Sequence, residues 1–381
     1  MMTPPVSIGS TVLHSLRPRE SAHERATHAS VAQRLGALLG LAWAGDFTPG
    51  AIYAAPRYLV PSDTLVGAEQ AHALGVRSES DFFGGLVPHP FVATKAITHP
   101  LLHAEAQAPE GWNPAFAEAV QESVLRGFTA FSLADARQAG QRLLALGPVR
   151  LKPVRATAGR GQVRIENAQG LDAALAQLDA AELAVFGVVL EENLEAVATY
   201  SVGQVRVGGQ IASYYGTQRL TRDNRGEEVY GGSTLTVARG GFAELCRLML
   251  PVHAREAIAQ AQRYDAAADA AYPGLLASRR NYDTVVGQDA AGRRRSGVLE
   301  QSWRIGGASG AEALALQTLA QHPDVRSVRA ATVEVYGTDA RPPEGASVHY
   351  HGDDDEVGPI LKYACLDPSG PGDSPLSDAR P

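Results

Sequence analysis

The chain has 381 residues, more than one ordinary core takes and enough for two or three domains or subdomains. Hydrophobic residues make up 45% and charged residues 20%, an ordinary globular composition, and no apolar run approaches the roughly 20 residues that span a bilayer. A net charge of −7 argues against a dedicated nucleic-acid binder, and Cys246 and Cys365 form neither a disulfide framework nor a metal-spaced motif, so the expectation is a soluble, cytoplasmic protein with no signal peptide.

Residues 9–45 read as strand, helix, strand. The helix opens on a capping box, Ser21 followed by Glu24, and carries apolar residues at helical spacing through Val31, Leu35, Leu38 and Leu39. A second strand-loop-helix unit follows, and together these predict a small α/β domain over residues 1–90. "GLVPHPFVATKAITHPLL" reads as a loop feeding a helix that carries Lys95, His99 and His103. The two histidines at i, i+4 are a metal pair or ordinary packing histidines, and with no third ligand in view the second reading is preferred. After a Pro/Gly linker come two helices, the second capped by Ser132 with Asp135 in its first turn.

Residues 149–165, "VRLKPVRATAGRGQVRI", form the most informative stretch. Two alternating runs flank a loop longer than a hairpin needs. Consecutive backbone N–H groups in a Gly-rich loop make a concave anion site, with Lys152 as a point charge and Arg155, Thr157 and Arg160 as further donors. A solvated surface hairpin is the plainer alternative. "VVLEENLE", residues 188–195, is a buried β-branched strand ending in Glu191 and Glu192. It is either a strand reaching solvent or an adenosine hinge. "ATYSVGQVRVGGQIASYYG" predicts a Gly-Gly hairpin. The Gly-rich segment 217–241 predicts a substrate-facing loop, whose Arg219, Arg222 and Arg225 either recognise an acid or are solvated charges.

"NYDTVVGQDAAGRRRSGVLEQSWRIGG" predicts two strands with Asp283 and Glu300 at one end of a sheet. Ser302 and Arg304 follow by the alternation of a strand. Two carboxylates suffice for Mg²⁺ shared with substrate phosphates; a buried salt-bridge set is the alternative. "VHYHGDDDEVG", residues 348–358, reads as exposed acids in preference to a metal site. Residues 367–381 read as a disordered tail.

"LEQSWRIGGAS" resembles the ATP-grasp signature E-h-N-P-R-h-G-G, matched at Glu300, Arg304, Gly306 and Gly307. "VRLKP…AGRGQV" is similar to the superfamily's lysine strand and glycine-rich clamp, "VVLEENL" to its hinge, and "YDTVVGQDAAGRRRSGVLE" to its metal hairpin, in the family's order over about residues 95–330. The resemblance implies an α/β (α+β) ATP-grasp fold. A small N-terminal domain would precede subdomains 91–200 (lysine and clamp) and 201–366 (metal and substrate), with the nucleotide between them.

It further implies a ligase that uses ATP and Mg²⁺ to activate a small carboxylate as an acylphosphate for attack by an amine or thiol. By the resemblance, Lys95 and Lys152 hold phosphates, with Arg155 and Thr157 as further contacts. Gly159 and Gly161 shape the clamp, Glu191 and Leu194 meet adenine, and Glu195 meets ribose. Asp283, Glu300 and Ser302 hold Mg²⁺, and Arg304 stabilises transferring charge. The partners implied are small molecules, and a homodimer is the superfamily's habit. Two departures stand out: Ser302 and Trp303 replace the signature's Asn and Pro, and Asn281 stands where many ligases carry an arginine. These keep open an ATP-grasp kinase and a non-catalytic nucleotide-binding regulator.

Overall fold

The computed structural model describes residues 9–17, 19–155 and 161–366. Thr157, Gly159 and Arg160 of the expected clamp, and the tail 367–381, lie outside the described residues.

An eight-stranded antiparallel sheet organises the molecule. In spatial order its strands are Arg294–Ser302, Arg279–Gln288, Glu195–Val207, Gln210–Arg222, Glu228–Arg239, Ser327–Tyr336, Gly358–Leu366 and Ser347–Asp354. Strand alternation gives it two apolar faces. Val202, Tyr215, Tyr282 and Val298 pack in one core with residues of helix Val252–Ala271. Val205, Tyr214, Leu235 and Val237 pack in another with Val31 and Leu35 of helix Ala22–Leu39 and Leu316 of helix Ser309–Gln321.

A four-stranded antiparallel sheet sits apart, in the order Gly127–Ala130, Val188–Glu192, Val149–Pro153, Val163–Ile165. The outer hairpin pairs Val149 with Ile165 and Leu151 with Val163. A parallel three-stranded sheet, Ala42–Asp46, Ser10–His14 and Arg57–Pro61, lies near the N-terminus. Ser10–His14, Ala42–Asp46 and the helix between them are the unit expected from residues 9–45, and Arg57–Pro61 is the strand of the second expected unit.

Most predicted elements are present: the helices around Ser132 and Asn167, the hairpin turning at Gly208-Gly209, and the pair carrying Asp283 and Glu300. Four expectations are corrected. Ser21 is at the N-cap position, but its hydroxyl makes no capping bond; the next helix's N-terminal His23 N–H is instead taken by Asp354 from the far end of the chain. Lys95 and His99 do not share a helix: two short 3₁₀ turns end at Thr98, and His99 is extended because Pro100 disfavours helical geometry before it. Segment 217–241 is mainly strand, since its β-branched and aromatic residues extend both arms of a long hairpin. Segment 348–358 is the turn end of a hairpin added to the sheet edge; Asp353, Asp355 and Glu356 are exposed as expected, but Asp354 is buried, and half-buried His349 lies 2.8 Å from the Ser30 hydroxyl.

Candidate active site

The hairpin carrying Asp283 and Glu300 sets the geometry. Asp283 pairs with Glu300 and Asn281 with Ser302 across the two strands. The shared alternation places these four on the face that also carries Tyr214. Neighbouring strands add Ser201 and Gln218. Asp283 Oδ1 accepts from Ser201 Oγ at 3.1 Å, Gln218 Nε2 at 3.0 Å and Asn281 Nδ2 at 3.1 Å. Among the described residues Oδ2 accepts none. One oxygen is thus fixed by protein donors, and the other keeps its lone pairs.

Lys95 Nζ lies 2.6 Å from Glu300 Oε2. The lysine is buried, while Glu300 keeps about a third of its side chain accessible, so the pair lines a recess. The two carboxylates titrate in opposite directions. Burial and the charge of Glu300 raise Asp283 above the ordinary aspartate range. Burial also works to raise Glu300, but Lys95 outweighs it, with help from Lys152 and Arg304, and the net direction is down.

A second lysine pair underlies the first. Lys152 on strand Val149–Pro153 contacts the Glu191 carboxylate directly, and His99 Nε2 lies 3.2 Å from the other Glu191 oxygen. All three side chains are buried. Burial alone would raise Glu191, but Lys152 and His99 hold it down to about 2. Gly127 makes room for this: a Cβ there would sit 2.8 Å from the His99 ring.

The remaining predicted residues are placed as follows. Glu191 lies in register between Gly127 and Arg150, so its carboxylate serves Lys152 and its backbone is inside the sheet. Leu194 follows that strand and packs with Leu125 and Val285. Glu195 is exposed, 3.2 Å from Arg164. Arg155 turns onto Phe186, its guanidinium 4.7 Å from the ring centre, and lies 3.7 Å from Glu182. Gly161, at φ 69°, lies just before the strand Val163–Ile165. Ser302 gives its carbonyl to Arg279 at 3.0 Å, with its Oγ at 3.4 Å. Arg304 lies 3.6 Å from Asp63.

Sequence reasoning took His99 as a packing histidine without its partner Glu191, and missed Ser201 and Gln218, because neither belongs to a local motif. Register with Asp283 was the only signal for Ser201. Arg219, Arg222 and Arg225 donate to carbonyls of Gly231, Gly226 and Glu356, and so brace their own hairpin and its neighbour.

Arg279 is a structural cation. It grips buried Glu312 through Nη2 and Nε at 2.7 and 3.0 Å and binds the carbonyls of Ser302 and Arg304 at 3.0 and 2.6 Å. That fixes the backbone of the signature segment. Trp303 is buried, its indole N–H 3.3 Å from the Tyr282 hydroxyl. Gly307 must stay small, because a Cβ there would lie 2.8 Å from the Tyr230 ring.

The donor set suits a hard cation: two carboxylates and a hydroxyl. Among the described residues no three His, Cys, Asp or Glu side chains gather as a metal cage. A magnesium ion completed by phosphate oxygens requires none. Asp283 Oδ2 and Glu300 are the groups that would hold it.

The profile of the family described as "Protein of unknown function (DUF3182)" matches residues 11–364. The chain belongs to that family. A search of curated proteins found no match. Among solved structures, the N5-carboxyaminoimidazole synthetase of Staphylococcus aureus complexed with ADP is similar at 12% identity and a TM-score of 0.54, over 95% of this chain and 94% of that one. The biotin carboxylase domain of the Hydrogenobacter thermophilus 2-oxoglutarate carboxylase, in complex with MgADP, ADP and bicarbonate, gives 12%, 0.52, 95% and 87%. Phosphoribosylamine–glycine ligase from Thermotoga maritima gives 15%, 0.52, 94% and 92%. All three are ATP-grasp proteins, and this DUF3182 chain has the ATP-grasp fold. Among its described residues no helix is long and apolar enough to cross a membrane.

Proposed function

We propose that this DUF3182 protein is an ATP- and Mg²⁺-dependent ligase that activates a small carboxylate as an acylphosphate for attack by an amine or thiol. The observation that carries the reading is buried Lys95 paired with Glu300, which faces Asp283 across the hairpin, with the charge of Lys152 also felt at Glu300. Structures similar to this chain that were solved with ADP or MgADP support the nucleotide.

Lys95 and Lys152 are placed to neutralise phosphate charge. In phosphoryl transfer such positioning and charge neutralisation provide most of the catalysis. Bound Mg²⁺ would supply further neutralisation of the transferring phosphoryl group. Glu191 and His99 aim Lys152, and burial keeps its ammonium from wandering. Gln218, Ser201 and Asn281 orient Asp283. Arg304 is assigned to stabilising the transferring charge, as the resemblance implies. The backbone at Leu194 is assigned to adenine, Glu195 to ribose, and the clamp at Gly161 to phosphate, as the resemblance implies.

A second reading is a nucleotide-binding regulator without turnover. It is favoured by Ser302, which replaces the signature's asparagine and is engaged by Arg279. One experiment separates the readings: incubate the protein with Mg-ATP and panels of carboxylates and amines or thiols, and follow ADP and product. Ligation yields ADP and an amide or thioester only with both substrates present. A stable phosphoester points to a kinase. Nucleotide binding without turnover across the panels points to the regulator.

A further inference from the structure

The first strand and the third strand of the N-terminal sheet are parallel neighbours, His14 beside Pro61. In open parallel sheets, ligands bind in the crevice outside the carboxyl ends of strands. Here that crevice is built from residues 15–17 and 62–64, tied together by Leu16 N–H to Ser62 Oγ at 2.9 Å and Ser62 N–H to His14 O at 2.9 Å. Thr64 Oγ1 lies 3.4 Å from the Trp303 carbonyl, which brings this edge against the segment carrying Arg304.

Four charged side chains meet at the seam. Asp63 lies 3.6 Å from Arg304 Nε and 3.8 Å from Arg17 Nε, and Arg17 Nη1 lies 3.5 Å from Glu24. None of these contacts reaches a good hydrogen-bond distance. The contrast with Arg279 and Glu312, locked at 2.7 Å, is informative. Asp63 and Glu24 are partly exposed, with about two-fifths of their side chains accessible, while the arginines keep about a fifth. Such loosely paired, part-exposed ions contribute little stability. They leave guanidinium edges and a carboxylate open to a ligand, next to Glu300, whose charge is felt at Arg304.

We infer that this seam binds the acceptor as a small zwitterion: an amine held by Asp63 and Glu24, and an anionic group, carboxylate or phosphate, held by Arg17 and Arg304. Guanidinium forks match either anion in bidentate fashion. Asp63, in contact with both arginines, holds the amine beside the anion site. This inference rests on the ligase reading for its chemistry, but its binding test does not.

The test uses the whole protein and isothermal titration, with and without Mg²⁺ and a non-hydrolysable ATP analogue. The probes are α-amino acids, their N-acetyl and α-amide derivatives, and amino alcohols carrying a phosphate monoester. The expected result is binding only by probes that keep both groups, at least tenfold tighter than by either single-group derivative. The series that binds tells carboxylate from phosphate. Arg17→Gln should weaken the binding probes at least tenfold. Asp63→Asn should erase the preference for a free amine. Nucleotide affinity, measured on the same variants, serves as the folding control. Equal binding by single-group derivatives, unchanged affinities in both variants, or no binding by any probe would each overturn the assignment. Failure of the nucleotide analogue to bind while zwitterions still bind would reject the ligase reading and leave the seam in place.

Discussion

Asp283 and Glu300 face one another across two antiparallel strands, and their carboxyls are driven in opposite directions: burial and its partner's charge raise Asp283, whereas Lys95 overcomes burial to lower Glu300. The protein therefore stores electrostatic cost at Asp283. A divalent cation relieves that cost, because it supplies the positive charge that Lys95 gives only to Glu300. On the proposed function, stability and activity oppose each other at this position.

Asp283→Asn should accordingly raise the melting temperature of the nucleotide-free protein while weakening Mg-ATP binding. Loss of tenfold or more in affinity, about 1.4 kcal/mol, is the expected scale. Thermal unfolding with and without Mg-ATP reads both effects. A variant that is less stable without ligand, or that binds Mg-ATP as well as the parent, would count against this account.

The same asymmetry fixes a pH dependence. Because the Asp283 carboxyl is raised in the folded protein, it takes up a proton at a higher pH than an ordinary aspartate. A cation competes with that proton, so Mg²⁺ affinity should fall on acidification, starting above the ordinary aspartate range. Magnesium titrations of nucleotide binding at a series of pH values should show the fall, and Asp283→Asn should flatten it.

Glu191 predicts acid behaviour of the opposite kind. Its folded value, about 2, lies below the ordinary 4.5. A depressed acid contributes stability that is fully present above the unfolded value and lost as pH falls through the folded one. The window is therefore from about pH 4.5 down to about 2. The contribution is on the order of 3 kcal/mol. Denaturant unfolding across that range should show a slope in the parent that Glu191→Gln removes. The variant should also be less stable at neutral pH, since Lys152 would be left buried beside a neutral amide.

How far the sequence disclosed the site can be read from these same residues. Lys152, Glu191, Asp283 and Glu300 were visible because each sits in a short strand whose alternation and order along the chain are local properties. His99 was not. Its pattern with His103 suggested a shared helix face, but Pro100 broke the helix and the buried carboxylate that engages His99 comes from 92 residues further on. Gln218 was hidden for the same reason: its partner Asp283 is two strands away. In the C-terminal hairpin Asp353, Asp355 and Glu356 are exposed as their charge suggested, but Asp354 caps the helix at His23. Charge and spacing reveal what a strand or helix offers. They do not reveal which distant element accepts the offer.

His99 acts through Glu191, so its substitution should separate positioning from folding. His99→Asn keeps a short polar side chain, while His99→Ala leaves a cavity and removes a Glu191 partner. Both should weaken ATP binding through Lys152. Loss of a hydrogen bond to a buried charge costs about 1.5–3 kcal/mol. The specific readout is the acid-unfolding slope of Glu191: it should shift in both variants, because His99 helps hold that carboxyl down. A variant with normal acid behaviour but lower stability would reduce His99 to a packing residue.

Trp303 tests the signature's other departure. It stands where the superfamily pattern has proline, and it is buried almost completely, with its indole N–H directed at Tyr282. Gly85 accommodates it, since a Cβ there would fall 2.5 Å from the Trp303 Cβ. Trp303→Ala should therefore cost about 3–5 kcal/mol, the usual range for emptying so large a site. Trp303→Pro, which restores the signature, should be no milder, because it empties the same cavity. Gly85→Ala should also destabilise, through a clash at the same contact. If Trp303→Pro folded with parent stability, the tryptophan would be a passenger and the packing of strand Gly85–Val87 against the signature segment would rest on other contacts.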